Sequence, residues 1–295
     1  MRIKELLLII VLLFLSSFVY SDQFSIFLEN DVVYGQTDHF YTHGTRLQYN
    51  VDGNDSENYG FAIGQNIYTP DDKASTVLIP NDRPYAGWLY GSAFDTVYNQ
   101  LLTRDQFHNE LQVGMVGPDS YAEQVQTEFH KIIGSDLPMG WDNQVYNHFG
   151  VLLMSKYTVP AYENSYCAID PYVGTSVGNL SDCIDTGFNA YIGYNLPANR
   201  SEQRVITFKA IRNEGWKPYA YMYFGLEPKF MMYNMMLEDP RFSIHPESFV
   251  YDRNLGWVVG CTQFEVAFTL CFRSREFEEQ LQQERFGSVK LTFAF

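Results

Sequence analysis

The sequence predicts an all-β fold, a transmembrane antiparallel β-barrel of about twelve strands with one short helix in an outer loop. Three observations carry this. The last ten residues, Phe286 to Phe295, alternate apolar with small or polar side chains and end on an aromatic. Only a strand puts Val289, Leu291, Phe293 and Phe295 on one face, and a chain ending on such a strand removes its free edge by closing into a barrel. Strand-like segments then recur along the whole chain with turn signals between them. Finally, no apolar run after the N-terminus is long enough for a spanning helix, and the mean hydropathy is −0.22. That excludes helical spans but admits strands that are apolar on one face only.

The N-terminal segment reads as a secretory signal. Arg2 and Lys4 precede the apolar run from Leu6 to Leu15, and Val19-Tyr20-Ser21 offers a small-residue cleavage site. Residues 1–21 are therefore assigned to the signal, and 22–295 to one outer-membrane barrel domain without repeats, low-complexity runs or linkers. The predicted strands fall near 23–31, 42–52, 58–68, 85–98, 107–117, 145–160, 166–179, 183–196, 217–237, 248–260, 262–277 and 286–295. An even number suits a bacterial barrel whose two chain ends share one side of the membrane. If the first strand rises from the periplasm, the loops near 32–41, 69–84 and 118–144, which hold the motif-rich segments, all face outward.

Composition narrows the partners. Tyr and Phe number 22 and 23, and the 17% aromatic content suits girdles at two membrane interfaces. A net charge of −15 argues against nucleic acid. Such a surface meets phosphorylated lipid where divalent cations bridge the charges, which is compatible with a calcium requirement. The four cysteines lack metal-site spacing. Cys261 and Cys271 bracket one strand, too far apart to bridge, while Cys167 and Cys183 are candidates for a bridge across a hairpin.

Residues 117–136 switch from a period of two to one of 3.6, which predicts a helix near 119–134. Ser120 and Glu123 form a capping box, Ala122, Val125, Phe129, Ile132 and Ile133 form an apolar stripe, and Gly134 ends the helix. Glu123, Gln126, Thr127 and His130 share another face. A histidine on a loop helix packed at the barrel rim is a candidate general base, although a solvated polar face has the same pattern. Asn30 and Asp31 end the first strand beside Thr42 on the second, which gathers an amide, a carboxylate and a hydroxyl. Asx residues also form turns, and a lone carboxylate with carbonyls is a reasonable hard-cation site. Asn81 to Trp88 reads as a loop anchor running into an interfacial aromatic girdle.

Taken together, Glu29-Asn30-Asp31, Tyr41-Thr42 with Gly44, Asp82-Arg83-Pro84-Tyr85-Ala86-Gly87, and Gly117-Pro118 followed by Gln126, His130 and Gly134 closely resemble the outer-membrane lipid A 3'-O-deacylase family. The resemblance covers nearly the entire mature chain in order. It implies a twelve-stranded barrel with a site between the barrel wall and an outer-loop helix, and a calcium-dependent hydrolase that removes the 3'-linked acyloxyacyl chain of lipid A in the outer leaflet. It matches His130 to the base that activates water, Asn30 and Asp31 to the strand-top polar pair, and Thr42 and Gln126 to neighbouring site residues; Asp31 is then the expected leading calcium ligand, with Asn30 helping to polarise the carbonyl. Lipopolysaccharide and outer-membrane lipids are the expected partners, and a monomer or weak dimer the expected state. The pattern departs in the second outer loop, where Lys73 is the only lysine and the loop lengths do not align. Two other readings remain open. An outer-membrane phospholipase A would need a serine nucleophile with a histidine partner, and His39 or His43 beside Thr42 makes no persuasive triad. A non-enzymatic small barrel would have little use for a histidine-bearing loop helix.

Overall fold

The protein is described by a computed structural model that covers residues 22–31, 40–54, 56–99, 105–198, 200 and 217–295. The signal segment 1–21, Thr37 to His39 of the first outer loop and most of the stretch 197–216 lie outside the described residues. Twelve long strands run β1 Gln23–Asn30, β2 Phe40–Asn54, β3 Glu57–Thr69, β4 Ala86–Tyr98, β5 Gln106–Val116, β6 His148–Thr158, β7 Cys167–Gly178, β8 Ser181–Tyr194, β9 Tyr219–Asn234, β10 Phe249–Cys261, β11 Phe264–Arg273 and β12 Glu284–Ala294. A two-residue ladder at Tyr162–Glu163 adds to the start of β7. Helix α1, Ala122–Ile133, sits between β5 and β6. Each strand pairs antiparallel with its sequence neighbour, and β1 pairs with β12 from Gln23↔Ala294 to Asn30↔Gly287, so the barrel is closed. Among the described residues no helix is long and apolar enough to cross a membrane, and the strands do the crossing.

The period-two alternation of each strand divides lipid side from lumen. On β12, Ser288, Lys290 and Thr292 are buried inside while Val289, Leu291 and Phe293 face outward, as the terminal pattern predicts. Leu47, Phe61, Ile63, Leu111 and Phe149 are large, apolar and exposed on the outer face. In a soluble protein that surface would be a liability, whereas in a bilayer it is the solvated one. The lumen is charged and paired. Arg46 grips Glu110 through two nitrogens at 2.6 and 3.1 Å, and Arg273 holds Asp252 at 2.8 and 2.9 Å beside Lys229. Removing one member of such a buried pair typically costs about 3–5 kcal/mol, because the partner charge is stranded. The pairs leave a lumen cavity of about 360 Å³, lined by Glu29, Arg46, Lys156, Glu227, Lys229 and Arg273 among others.

Three expectations are corrected. Cys167 lies opposite Ile192 and Cys183 opposite Ser176, at different ends of the β7–β8 hairpin, so no bridge joins them. Ser120 does not cap α1. Its hydroxyl donates back to the Gly117 carbonyl, and the residue before the helix is Tyr121 in the left-handed region at φ 57°, with no side-chain cap. Trp88 and Tyr85 are not girdle residues. Trp88 is buried in the lumen, stacked on Tyr90, and Tyr85 is buried against Trp141 at 4.8 Å between ring centres. The anchor reading of that segment is supported. Asp82 accepts the backbone N–H of Asp71 and Arg83, and the Arg83 guanidinium lies 4.4 Å from the Tyr68 ring and 3.0 Å from Glu276.

Candidate functional site

The site begins at a bulge. Tyr41 pairs with Tyr68 but His43 pairs with Ile67, so Thr42 is an extra residue in β2. Tyr41 is held from inside the barrel, its hydroxyl donating to Glu29 Oε2 and its N–H to Glu284 Oε1 of β12. The extra residue then puts Thr42 and His43 on the outer side. Thr42 Oγ1 lies 2.7 Å from Thr69 Oγ1, and the His43 ring lies 6.1 Å from that of Phe129 on α1. Asn30 at the top of β1 donates its Nδ2 to the Thr42 carbonyl at 3.1 Å, and the buried Asp31 follows it. The strand tops thus join Asn30 and Thr42, as their sequence positions suggest.

Helix α1 packs on the outer wall of the barrel above β3 and β4. Ala86, Trp88 and Tyr90 are lumen residues, so Gly87 faces outward, and a Cβ there would overlap Ser120 Oγ and Ala122 Cβ. Glycine at this one position lets the helix approach the strand. Gln65 on β3 donates to the Ser120 carbonyl at 2.6 Å, and Ala122 packs with Ile67, Tyr85 and Trp141. Gly134, at φ 69° in the left-handed region, ends the helix where the sequence places its stop.

The burial of α1 is the reverse of that of a soluble amphipathic helix. Gln126 and His130, one turn apart, are each 3% exposed, whereas Val125, Phe129, Ile132 and Ile133 are exposed. Gln126 and His130 therefore meet the barrel together with Ala122, and the rest of the apolar stripe points away. Of the four residues predicted to share the polar face, Gln126 and His130 are buried, Thr127 is half-buried and Glu123 is exposed.

Hydrogen bonds fix both buried side chains. His130 Nδ1 lies 2.5 Å from the Asp136 carbonyl. A carbonyl only accepts, so Nδ1 carries the proton and the basic lone pair of the neutral ring is on Nε2. Trp141 Nε1 donates to Gln126 Oε1 at 3.0 Å, which assigns the amide orientation. Gln126 Nε2 has no hydrogen-bond partner among the described residues. A buried donor without a partner is costly, and it suits a site where an incoming carbonyl oxygen supplies the bond. Trp141 escapes a sequence reading because it sits in an irregular loop fifteen residues from the glutamine it orients. Trp141→Phe keeps the ring and deletes the donor. It is expected to lower turnover roughly 2- to 10-fold, the worth of one orienting hydrogen bond, with little change in KM. Steady-state kinetics of the purified, refolded variant checks this.

The donor set at the strand tops fits a hard cation better than a soft one. Asp31 contributes a carboxylate that is 1% exposed, and the amide of Asn30, with its nitrogen committed to Thr42, can present only its oxygen to a metal. Among the described residues, the cluster of three histidine and carboxylate side chains lies elsewhere, at His245, Glu278 and Glu279. There His245 Nδ1 pairs with Glu279 at 2.6 Å and ties the β9–β10 loop to the β11–β12 loop. Lys73 joins the site's surroundings through its backbone, its carbonyl accepting from the Tyr85 hydroxyl at 2.9 Å and from the Met139 N–H at 2.8 Å.

Comparison with known proteins adds the following. A family model described as outer membrane protein LpxR matches residues 6–295. Among solved structures, LpxR from Salmonella typhimurium superposes with a TM-score of 0.81 at 20% identity, over 92% of this chain and 100% of that one. The β domain of the Bordetella autotransporter Brka gives a TM-score of 0.50 at 8% identity, over 93% of this chain and 99% of that one. No curated protein matches the sequence.

Proposed function

Because the chain belongs to the family of outer membrane protein LpxR, we propose that it is a calcium-dependent lipid A 3'-O-deacylase. In this reading it releases the 3'-linked acyloxyacyl chain by hydrolysis, works in the outer leaflet with α1 on the outward side, and acts as a monomer or weak dimer. The observation that carries the reading is the inverted helix, which buries Gln126 and the oriented imidazole of His130 against the barrel wall, with the neighbouring Phe129 ring 6.1 Å from that of His43 on β2. Burial of this kind is wasteful for a structural loop helix and useful for a site that must exclude water from all but one reaction.

The residues divide the work of ester hydrolysis. His130 Nε2 accepts a proton from water as the water oxygen bonds to the ester carbonyl carbon. Gln126 Nε2, oriented by Trp141, donates to the carbonyl oxygen as it becomes an oxyanion. When the carbon–oxygen bond to the sugar breaks, His130 returns its proton to the departing 3'-oxygen, leaving a sugar hydroxyl and a free acid. Asp31, with the oxygen of Asn30 and backbone carbonyls, would hold the calcium ion, and Thr42 steadies Asn30. When bound, that ion supplies positive charge to stabilise the oxyanion.

This mechanism has no covalent acyl-enzyme, which separates it from a serine lipase. Activity on lipid A should therefore survive a serine-directed covalent inhibitor, measured as acid released with and without preincubation. Loss of activity in step with labelling would favour the phospholipase reading.

A further inference from the structure

Helix α1 has three faces, not two. Ala122, Gln126 and His130 lie on the barrel wall. Gln124, Glu128 and Lys131 form a charged and polar strip, with Lys131 Nζ 2.7 Å from Glu128. Val125, Phe129 and Ile132 form the third face, 42%, 45% and 81% exposed. At about 100° per residue the apolar strip flanks the wall-facing strip on one side and the exposed Glu123 flanks it on the other, while the Gln124, Glu128 and Lys131 strip points away from the wall. A helix lying along a barrel wall with one flank apolar and the other charged matches an amphipathic helix at the boundary between lipid and water.

We infer that the Val125, Phe129 and Ile132 face of α1 is immersed in the acyl chains of the membrane leaflet around the barrel, with the opposite flank, at Glu123, on the aqueous side. Continuity with the lipid-facing band of the barrel identifies lipid as the occupant. On β3 the outward column Phe61, Ile63 is apolar and exposed, and the next outward residue, Gln65, is the one that bonds the start of the helix segment at Ser120. The apolar flank of α1 thus extends the same surface. Tyr121, exposed where the helix begins, is an amphipathic aromatic of the kind that favours an interface.

The inference rests on the outer-membrane deacylase reading and deepens it. A lipid-immersed flank sets His130 at the depth where acyl chains meet sugar, so a membrane-embedded substrate reaches the base by lateral movement without leaving the leaflet.

Fluorescence quenching tests it. The full chain with Ile132→Trp or Glu123→Trp is reconstituted in phosphatidylcholine vesicles whose acyl chains carry bromine, and the emission added over the four native tryptophans is followed. Ile132→Trp should give blue-shifted emission that loses most of its intensity to brominated chains and little to aqueous iodide. Glu123→Trp should show the opposite preference. Val125→Trp replaces Ile132→Trp if that variant fails to fold, as judged by heat-modifiable mobility. Iodide quenching at Ile132 would overturn the inference, and so would shielding from both quenchers, which would mean that a second copy or another part of the chain covers the face. Turnover is not needed for the readout. An inactive but lipid-quenched chain would therefore sink the deacylase reading alone, and an active chain quenched by iodide would sink this inference alone.

Discussion

His130→Ala is expected to lower lipid A deacylation by about 10²- to 10⁴-fold, the usual contribution of a general base. The barrel should stay folded, because His130 belongs to a loop helix outside the strand ladder and its fixed partner is a backbone carbonyl. Heat-modifiable mobility and unchanged protease resistance would show intact folding. Turnover, and not KM, should carry the loss, since the imidazole acts on the attacking water and makes its strongest interaction in the transition state. Activity within a fewfold of wild type in a folded His130→Ala protein would remove the histidine from the mechanism.

Calcium removal should have an effect of comparable size. A chelator in excess is expected to silence the wild-type protein reversibly, with calcium restoring activity. Asp31→Ala removes the Asp31 carboxylate from the strand tops and should leave activity low at calcium concentrations that saturate the wild type. Asp31→Asn, which keeps an oxygen ligand but not its charge, should need more calcium to reach half its maximum. Titrating free calcium against initial rate for the three proteins separates these cases. Full activity of Asp31→Ala at low calcium would reject Asp31 as the leading ligand.

Most of the barrel is legible in the sequence because membrane strands carry their environment in an alternating pattern. Val289, Leu291 and Phe293 point to lipid and Lys290 and Thr292 to the lumen, and the same rule gives the other strands within a few residues. Helix α1 shows itself by its period and by Gly134, yet the sequence cannot say which of its faces is buried. In water the apolar stripe would go inside. Here the outer wall of the barrel already faces lipid, so the stripe can face outward and the polar face packs against the wall. The false capping box at Ser120 has a related cause. Close approach to Gly87 diverts the hydroxyl to the Gly117 carbonyl, a tertiary constraint that local pattern does not encode.

The candidate site divides in the same way. Asn30 and Thr42 are brought together by strand register, which a sequence reading can follow. Trp141 and Glu284 are not, since each acts on the site across a long sequence separation: Trp141 through the Gln126 amide, and Glu284 through the Tyr41 N–H that sets the Thr42 bulge. The Cys167 and Cys183 expectation failed on register alone, because two residues of one hairpin lie side by side only when both are equally far from its turn.

The most direct test of the central claim is mass spectrometry of lipid A from cells expressing the wild-type chain or His130→Ala, with and without calcium chelation. The account predicts loss of one acyloxyacyl unit only where His130 is intact and calcium is free. Unchanged lipid A in cells with folded wild-type protein and ample calcium would contradict it, as would the same loss in the His130→Ala cells.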